Sequence, residues 1–92
     1  MRVDQYLWCV RYYKSRNMAS QACRKGAIKV NGSAVKPSRE VLPLDNISVR
    51  RDQIWLQLKI MDIPKSRVGA KLVDIYRQDL TPSEAFQHKE MQ

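Results

Sequence analysis

Metal and thiol chemistry have little to draw on in this chain, which carries one histidine and two cysteines in 92 residues. His88 lies near the C-terminal end, and although Glu84 stands four residues before it, one such pair without a further His, Cys or carboxylate on the same face supplies too few ligands for a helical metal site. Cys9 and Cys23 are too few and too widely spaced for a zinc knuckle or a CxxC redox pair. They read as small buried thiols of a reduced cytosolic protein, with a bridge between two neighbouring helices as the alternative. Gly26, Gly32 and Gly69 form neither of the glycine-rich phosphate-binding patterns. No run nears the ~18 apolar residues of a spanning helix. The start, MRVDQYLWCV, has an early aspartate and no apolar signal-peptide core, so it reads as not exported. With no nucleophile, base or metal set in view, no enzyme activity and no cofactor are expected.

Carboxylates are missing from one long stretch: none lies between Asp4 and Glu40. Residues 1 to 51 hold eleven Lys and Arg against three Asp and Glu, whereas residues 52 to 92 hold six against six, so the net +8 sits wholly in the first half. Clustered cations sum to a field that attracts polyanions, and folding does not require it. Nucleic acid is one such polyanion and a membrane surface the competing one. For any single cation the plain reading is a solvated surface charge. A face kept only for solubility mixes signs, however, and Arg11, Lys14, Arg16, Arg24, Lys25, Lys29, Lys36 and Arg39 have no acid among them.

What is present suffices for one small folded domain, with 43% hydrophobic and 28% charged residues. Asp4 is placed to cap a first helix whose Val3, Leu7 and Val10 share one stripe, flanked by Tyr6 and Tyr13. Ser15 offers a second N-cap. The following helix puts Met18, Ala19, Ala22 and Cys23 on one side, and Arg16, Ser20 and Arg24, with Asn17, Gln21 and Lys25 beside them, on the other. Gly26 can end it in a left-handed conformation. The period then changes to two through Ile28 and Val30 until Asn31-Gly32 supplies a type I′ hairpin turn. Pro37 takes the chain out of the sheet or along its edge. Alternation resumes in Ile47 and Val49, then in Ile54, Leu56, Leu58 and Ile60, with the reversal near Arg51-Asp52. After a short polar linker, PKSRVG, helical spacing returns from Ala70 to Gln78, and Thr81, Pro82 and Glu84 form a capping box for a last helical turn.

Exposed aromatics can stack bases in single-stranded nucleic-acid binders. Tyr6 and Tyr13 read here as core, while Tyr12 fits either role. No strand carries the aromatic pattern of an RRM, which favours recognition of RNA by shape and phosphate over base reading.

Residues 2 to 41 also resemble a known family. Arg2, Asp4, Leu7 and Trp8, then Arg11, Lys14, Ser15 and Arg16, then Gly26, Val30, Asn31 and Gly32, then Lys36, Pro37 and Ser38 follow the pattern of the S4-type RNA-binding domain. Within that group the stretch resembles the bacterial heat shock protein 15 family. Ala70 to Pro82 also looks like that family's segment after the sheet. Gln5 stands where the family commonly has lysine, and Leu44-Asp45 where Gly-Asp is usual. The resemblance implies two helices on a small sheet, with helix two and the following loop presented to structured RNA. It also implies association with the large ribosomal subunit carrying a stalled peptidyl-tRNA, in rescue or quality control.

The resulting expectation is an α+β fold of the S4-like (αL motif) type, with two N-terminal helices on a small antiparallel sheet followed by a helical C-terminal appendage. Residues 1–63 form the RNA-binding domain, and 64–92 a linker and helical extension packed on or near it. Arg16 and Arg24 are read as bidentate phosphate ligands. Lys14, Lys25, Lys29 and Lys36 add point charges, Arg2, Arg11 and Arg39 extend the patch, and Asn17, Asn31 and Ser38 donate to phosphate or 2′-OH groups. Arg50 and Arg51 rank below these. The partners expected are ribosomal RNA, tRNA and the ribosome, with no membrane, for a cytoplasmic protein that is monomeric when free. The alternatives are an accessory RNA-binding module of an RNA-modifying enzyme complex and a non-specific DNA binder.

Overall fold

In the computed structural model, which describes residues 1–82, helices α1 (Val3–Cys9) and α2 (Arg16–Arg24) cover one face of a five-stranded antiparallel sheet. The strands are β1 (Ile28–Val30), β2 (Ser33–Ala34), β3 (Asn46–Arg51), β4 (Ile54–Ile60) and β5 (Arg77–Asp79), in the order β2-β1-β3-β4-β5. A 3₁₀ turn (Ala70–Leu72) and helix α3 (Val73–Tyr76) precede β5.

The stripe read from α1 is the centre of the core. Val3, Tyr6, Leu7 and Val10 are fully buried against Ile28, Val30, Ile47, Val49, Leu58 and Ile60. Tyr12 joins them, so it is a core residue and not a free platform, while Tyr13 is partly buried at the margin. Asp4 does not cap α1. Arg2 holds that position without a side-chain bond, and Asp4 sits in the first turn, where its Oδ1 accepts from the Gln5 N–H at 2.8 Å. Ser15 does cap α2, its Oγ accepting from the Met18 N–H at 3.1 Å, and Gly26 ends the helix at φ +76°. The helix is rotated from the expected setting: Met18 is 49% exposed, while Ser20, read as part of the wet face, is 8% exposed. Its buried arc runs through Ala19, Ser20 and Cys23.

The β1–β2 turn forms at Asn31-Gly32, both at positive φ (51° and 87°). The β3–β4 hairpin turns at Asp52-Gln53 without a glycine, again with positive φ at both residues. Pro37 lies outside the sheet. The principal departure comes after α3. Helical spacing was expected through Gln78, but Arg77 is extended, and β5 pairs with β4 through Ile60↔Arg77, Lys59↔Gln78 and Leu58↔Asp79. Without β5 the seven-residue β4 would present a row of unpaired peptide groups, which a short polar edge strand covers. The Thr81 hydroxyl accepts from the Gln57 N–H at 2.8 Å. Glu84, the other half of the predicted capping box, lies outside the described residues, as does His88.

The supposed linker is tied down as well. The Val68 N–H donates to the Cys9 carbonyl (2.9 Å) at the end of α1, and Arg67 Nε reaches the Trp8 carbonyl (3.4 Å), which also accepts from the Arg11 N–H (3.1 Å). Arg11, left-handed at φ 67°, donates from Nε to the Val68 carbonyl at 2.6 Å. Tyr6 Oη donates to the Tyr76 carbonyl at 2.7 Å, joining α1 to α3.

Leu44 occupies the position where glycine is usual in the resembling family, and it has the matching backbone, φ 77°. The turn still closes: its N–H donates to the Ile60 carbonyl (2.7 Å), and Asp45 accepts from the Leu42 N–H (2.9 Å). A left-handed conformation strains any residue with a Cβ, and the Leu44 side chain, 64% exposed, offsets little of that by packing. Leu44→Gly is therefore expected to raise stability by about 0.5–1 kcal/mol in urea unfolding, the released strain exceeding the added chain entropy. An unchanged or lowered stability would contradict this.

Candidate nucleic-acid interface

Asp4 organises the N-terminal cations. Its carboxylate is 2% exposed and accepts from Arg2 through both oxygens, Nε to Oδ1 at 3.2 Å and Nη2 to Oδ2 at 3.1 Å. Arg16, at the start of α2, approaches the same Oδ1 with Nε at 3.7 Å. Both guanidinium side chains stay more than two-fifths exposed. Arg2 thus has one edge fixed by hydrogen bonds and Arg16 is drawn to the same carboxylate as an ion pair, while both keep donors facing solvent, an arrangement suited to forked contact with phosphate.

The loop after β2 is laced to the same corner. The Val3 N–H donates to the Arg39 carbonyl (2.7 Å), the Asp4 N–H to the Pro37 carbonyl (3.4 Å), and the Arg39 N–H to the Lys36 carbonyl (3.0 Å). Exposed Lys36, Ser38 and Arg39 are thereby held beside Arg2. Arg24 is exposed two turns along α2 from Arg16. Lys14, Asn17 and Lys25 are exposed as well, with Asn17 and Lys25 facing the β3–β4 hairpin end beside Arg50 and Arg51.

Three expected site residues are placed otherwise. Lys29 alternates with core-facing Ile28 and Val30, so it lies on the sheet face away from the helices, its Nζ 4.6 Å from the Trp55 ring centre. The hairpin and α2 therefore do not share Lys29 on one surface. Asn31 is engaged at both ends of its amide, donating to Asp45 (3.1 Å) and accepting from the Asn46 N–H (3.0 Å). Arg11 is exposed but spends its Nε on the Val68 carbonyl. Conversely, Arg51 belongs with the groups near the helices: it shares strand parity with core-facing Ile47 and Val49, and its guanidinium lies 5.0 Å from the Tyr13 ring centre. That parity was the signal available in the sequence.

Both cysteines are free and buried. Burial pushes the Cys23 thiol up to about 11, and the Asp4 carboxylate adds to the shift against the smaller pull of its own backbone and of Arg2 and Arg24. Burial likewise raises the Cys9 thiol and the phenols of Tyr6, Tyr12 and Tyr13. Thiol nucleophilicity and thiolate ligation are thus suppressed at neutral pH. Among the described residues no three His, Cys, Asp or Glu side chains are grouped to hold a metal ion, and no helix is long and apolar enough to cross a membrane.

A small α+β domain with an exposed arginine cluster at the joined starts of two helices is the class of nucleic-acid-binding module that this geometry defines. Residues 1–47 match the S4 domain, and the chain belongs to the S4 domain family. It is 39% identical over 64 residues to an RQC P-site tRNA stabilizing factor of Helicobacter pylori, covering 70% of this chain and 76% of that one. It is 26% identical to a heat shock protein 15 homolog of Aeromonas salmonicida, over 90% of this chain but only 63% of that protein's length. A trimeric structure of Vibrio cholerae heat shock protein 15 superposes with a TM-score of 0.83 at 26% identity, over 99% of this chain and 90% of that one. The resemblance read from residues 2 to 41 is borne out by these matches.

The raised thiol and phenol values set an alkaline limit on the fold. An acid held protonated by folding ionises first in the unfolded chain, which then binds fewer protons, so stability falls as pH rises. Chemical unfolding is expected to show a steady decline in stability from about pH 9 upward, relative to its value near pH 8. A flat profile to about pH 11 would contradict the burial of these groups.

Proposed function

We propose that this chain is a non-catalytic, cytoplasmic RNA-binding factor that docks on the large ribosomal subunit and its peptidyl-tRNA during rescue or quality control of stalled translation. The observation that carries the reading is the Arg2–Asp4–Arg16 cluster: two exposed arginines gathered at one buried carboxylate, Arg2 by two hydrogen bonds and Arg16 by an ion pair, beside the Lys36–Arg39 loop. The names of its relatives, one a P-site tRNA stabilizing factor and others heat shock protein 15 homologs, support the choice of ribosome and tRNA over other nucleic acids.

In this reading Arg2, Arg16, Arg24 and Arg39 bind phosphates as forks, and Lys14, Lys25 and Lys36 as point charges, with Ser38 and Asn17 donating to phosphate or 2′-OH groups. Lys29, Asn31 and Arg11 hold subsidiary places. A non-catalytic role fits the absence of any catalytic grouping in the sequence. The free protein is read as a monomer, whereas the Vibrio cholerae relative was solved as a trimer.

If about six cations meet phosphates, log affinity for structured ribosomal RNA falls with log salt at a slope of about −4 to −5. The double change Arg16→Ala with Arg24→Ala is expected to flatten that slope by about 2 while the variant remains folded, with its melting temperature lowered by the loss of the Arg16–Asp4 ion pair. In sucrose gradients the protein is expected to comigrate with large subunits. A near-flat salt response, or a double variant that binds like the parent, would remove the basis of this reading.

A further inference from the structure

We infer that the groove between α2 and the end of the β3–β4 hairpin is a seat for one unpaired nucleotide of the bound RNA, stacked on Arg51. Two depressions of about 360 and 550 Å³ share the same three residues, Tyr13, Met18 and Arg51. Each volume lies in the range of small-ligand sites. The floor is apolar: Met18 is solvent-exposed on α2 with no core to fill, and Tyr13 is half-buried. The walls are cationic, with Lys25 and Arg51 lining one depression and Arg11, Lys14, Arg51 and Arg67 the other. Among the described residues no carboxylate lines either.

An apolar floor with cationic walls is complementary to a nucleotide, whose base is flat and weakly hydrated and whose phosphate is an anion. The guanidinium of Arg51 lies over the Tyr13 ring at 5.0 Å and near that of Tyr12 at 5.9 Å. Held against these rings, Arg51 is still solvent-exposed and so can offer its guanidinium plate to a base, and bases splayed from RNA stack on such plates. A paired base cannot enter, because its faces are already stacked. The groove also adjoins Asn17 and Lys25 of α2, so a nucleotide there continues the phosphate track of that helix.

This proposal rests on the RNA-binding reading and adds selectivity to it. The test uses the full 92-residue chain and two labelled RNA hairpins, identical except that one carries a single bulged adenosine. The parent protein is expected to bind the bulged hairpin roughly tenfold tighter, the size of one base-stacking contact. Arg51→Lys, which keeps the charge and removes the plate, is expected to bring the affinity ratio of the two hairpins from about ten to about one. Equal binding of both hairpins by the parent protein overturns the nucleotide seat and leaves the RNA-binding reading standing. Retention of the preference by Arg51→Lys overturns the stack on Arg51. Displacement of either hairpin by millimolar adenosine monophosphate overturns it in favour of a free-nucleotide site. Failure to bind any structured RNA overturns the parent reading and this one with it.

Discussion

A carboxylate removed from water needs donors around it, and Asp4 finds them in the Gln5 N–H and in Nε and Nη2 of Arg2, with the Arg16 guanidinium a further ion-pair partner at 3.7 Å. That single constraint sets the relation between the starts of α1 and α2. It also fixes where the loop bearing Lys36 and Arg39 can run, because the peptide groups of Val3 and Asp4 bond that loop's carbonyls. In the proposed reading folding and recognition meet at this corner: the core needs Asp4 compensated, and the compensating groups include arginines that face solvent.

Around this corner the molecule divides its cations among three surfaces. Arg2, Arg16, Lys36 and Arg39 gather near Asp4, and Arg24 lies further along α2. Lys14 and Lys25 flank the groove with Arg51. Lys29 stands on the far side of the sheet, where it and Arg50 approach the Trp55 ring. The first two surfaces adjoin along α2 and suit a folded RNA whose backbone passes the helix while one nucleotide turns inward. The C-terminal residues up to Thr81 serve this indirectly. Arg67 and Val68 close the end of α1, and β5 completes the sheet, which keeps the helices seated.

Much of this was legible in the sequence because it is local. Ser15, Gly26 and Asn31-Gly32 act through their own backbones, and the alternation of Ile47, Val49, Leu58 and Ile60 follows from one buried sheet face. What was not legible depends on contacts between distant residues. Arg77–Asp79 has no strand-like composition and becomes β5 only because β4 has an open edge. Asp4 has the spacing of a cap, and only the fold brings Arg16 to it. Lys29 and Arg51 are intermediate cases. Their positions relative to Ile28 and Val49 already fixed the face each occupies, and the weight given to net charge obscured that signal.

Asp4→Asn tests the central claim most directly, because it sets simple charge against orientation. The substitution raises the net charge by one and, if cations acted only through their summed field, would tighten binding to structured RNA. If Asp4 orients Arg2 and Arg16, affinity at fixed salt falls severalfold while the variant remains folded. Tighter or unchanged binding by a folded Asp4→Asn protein would contradict the account.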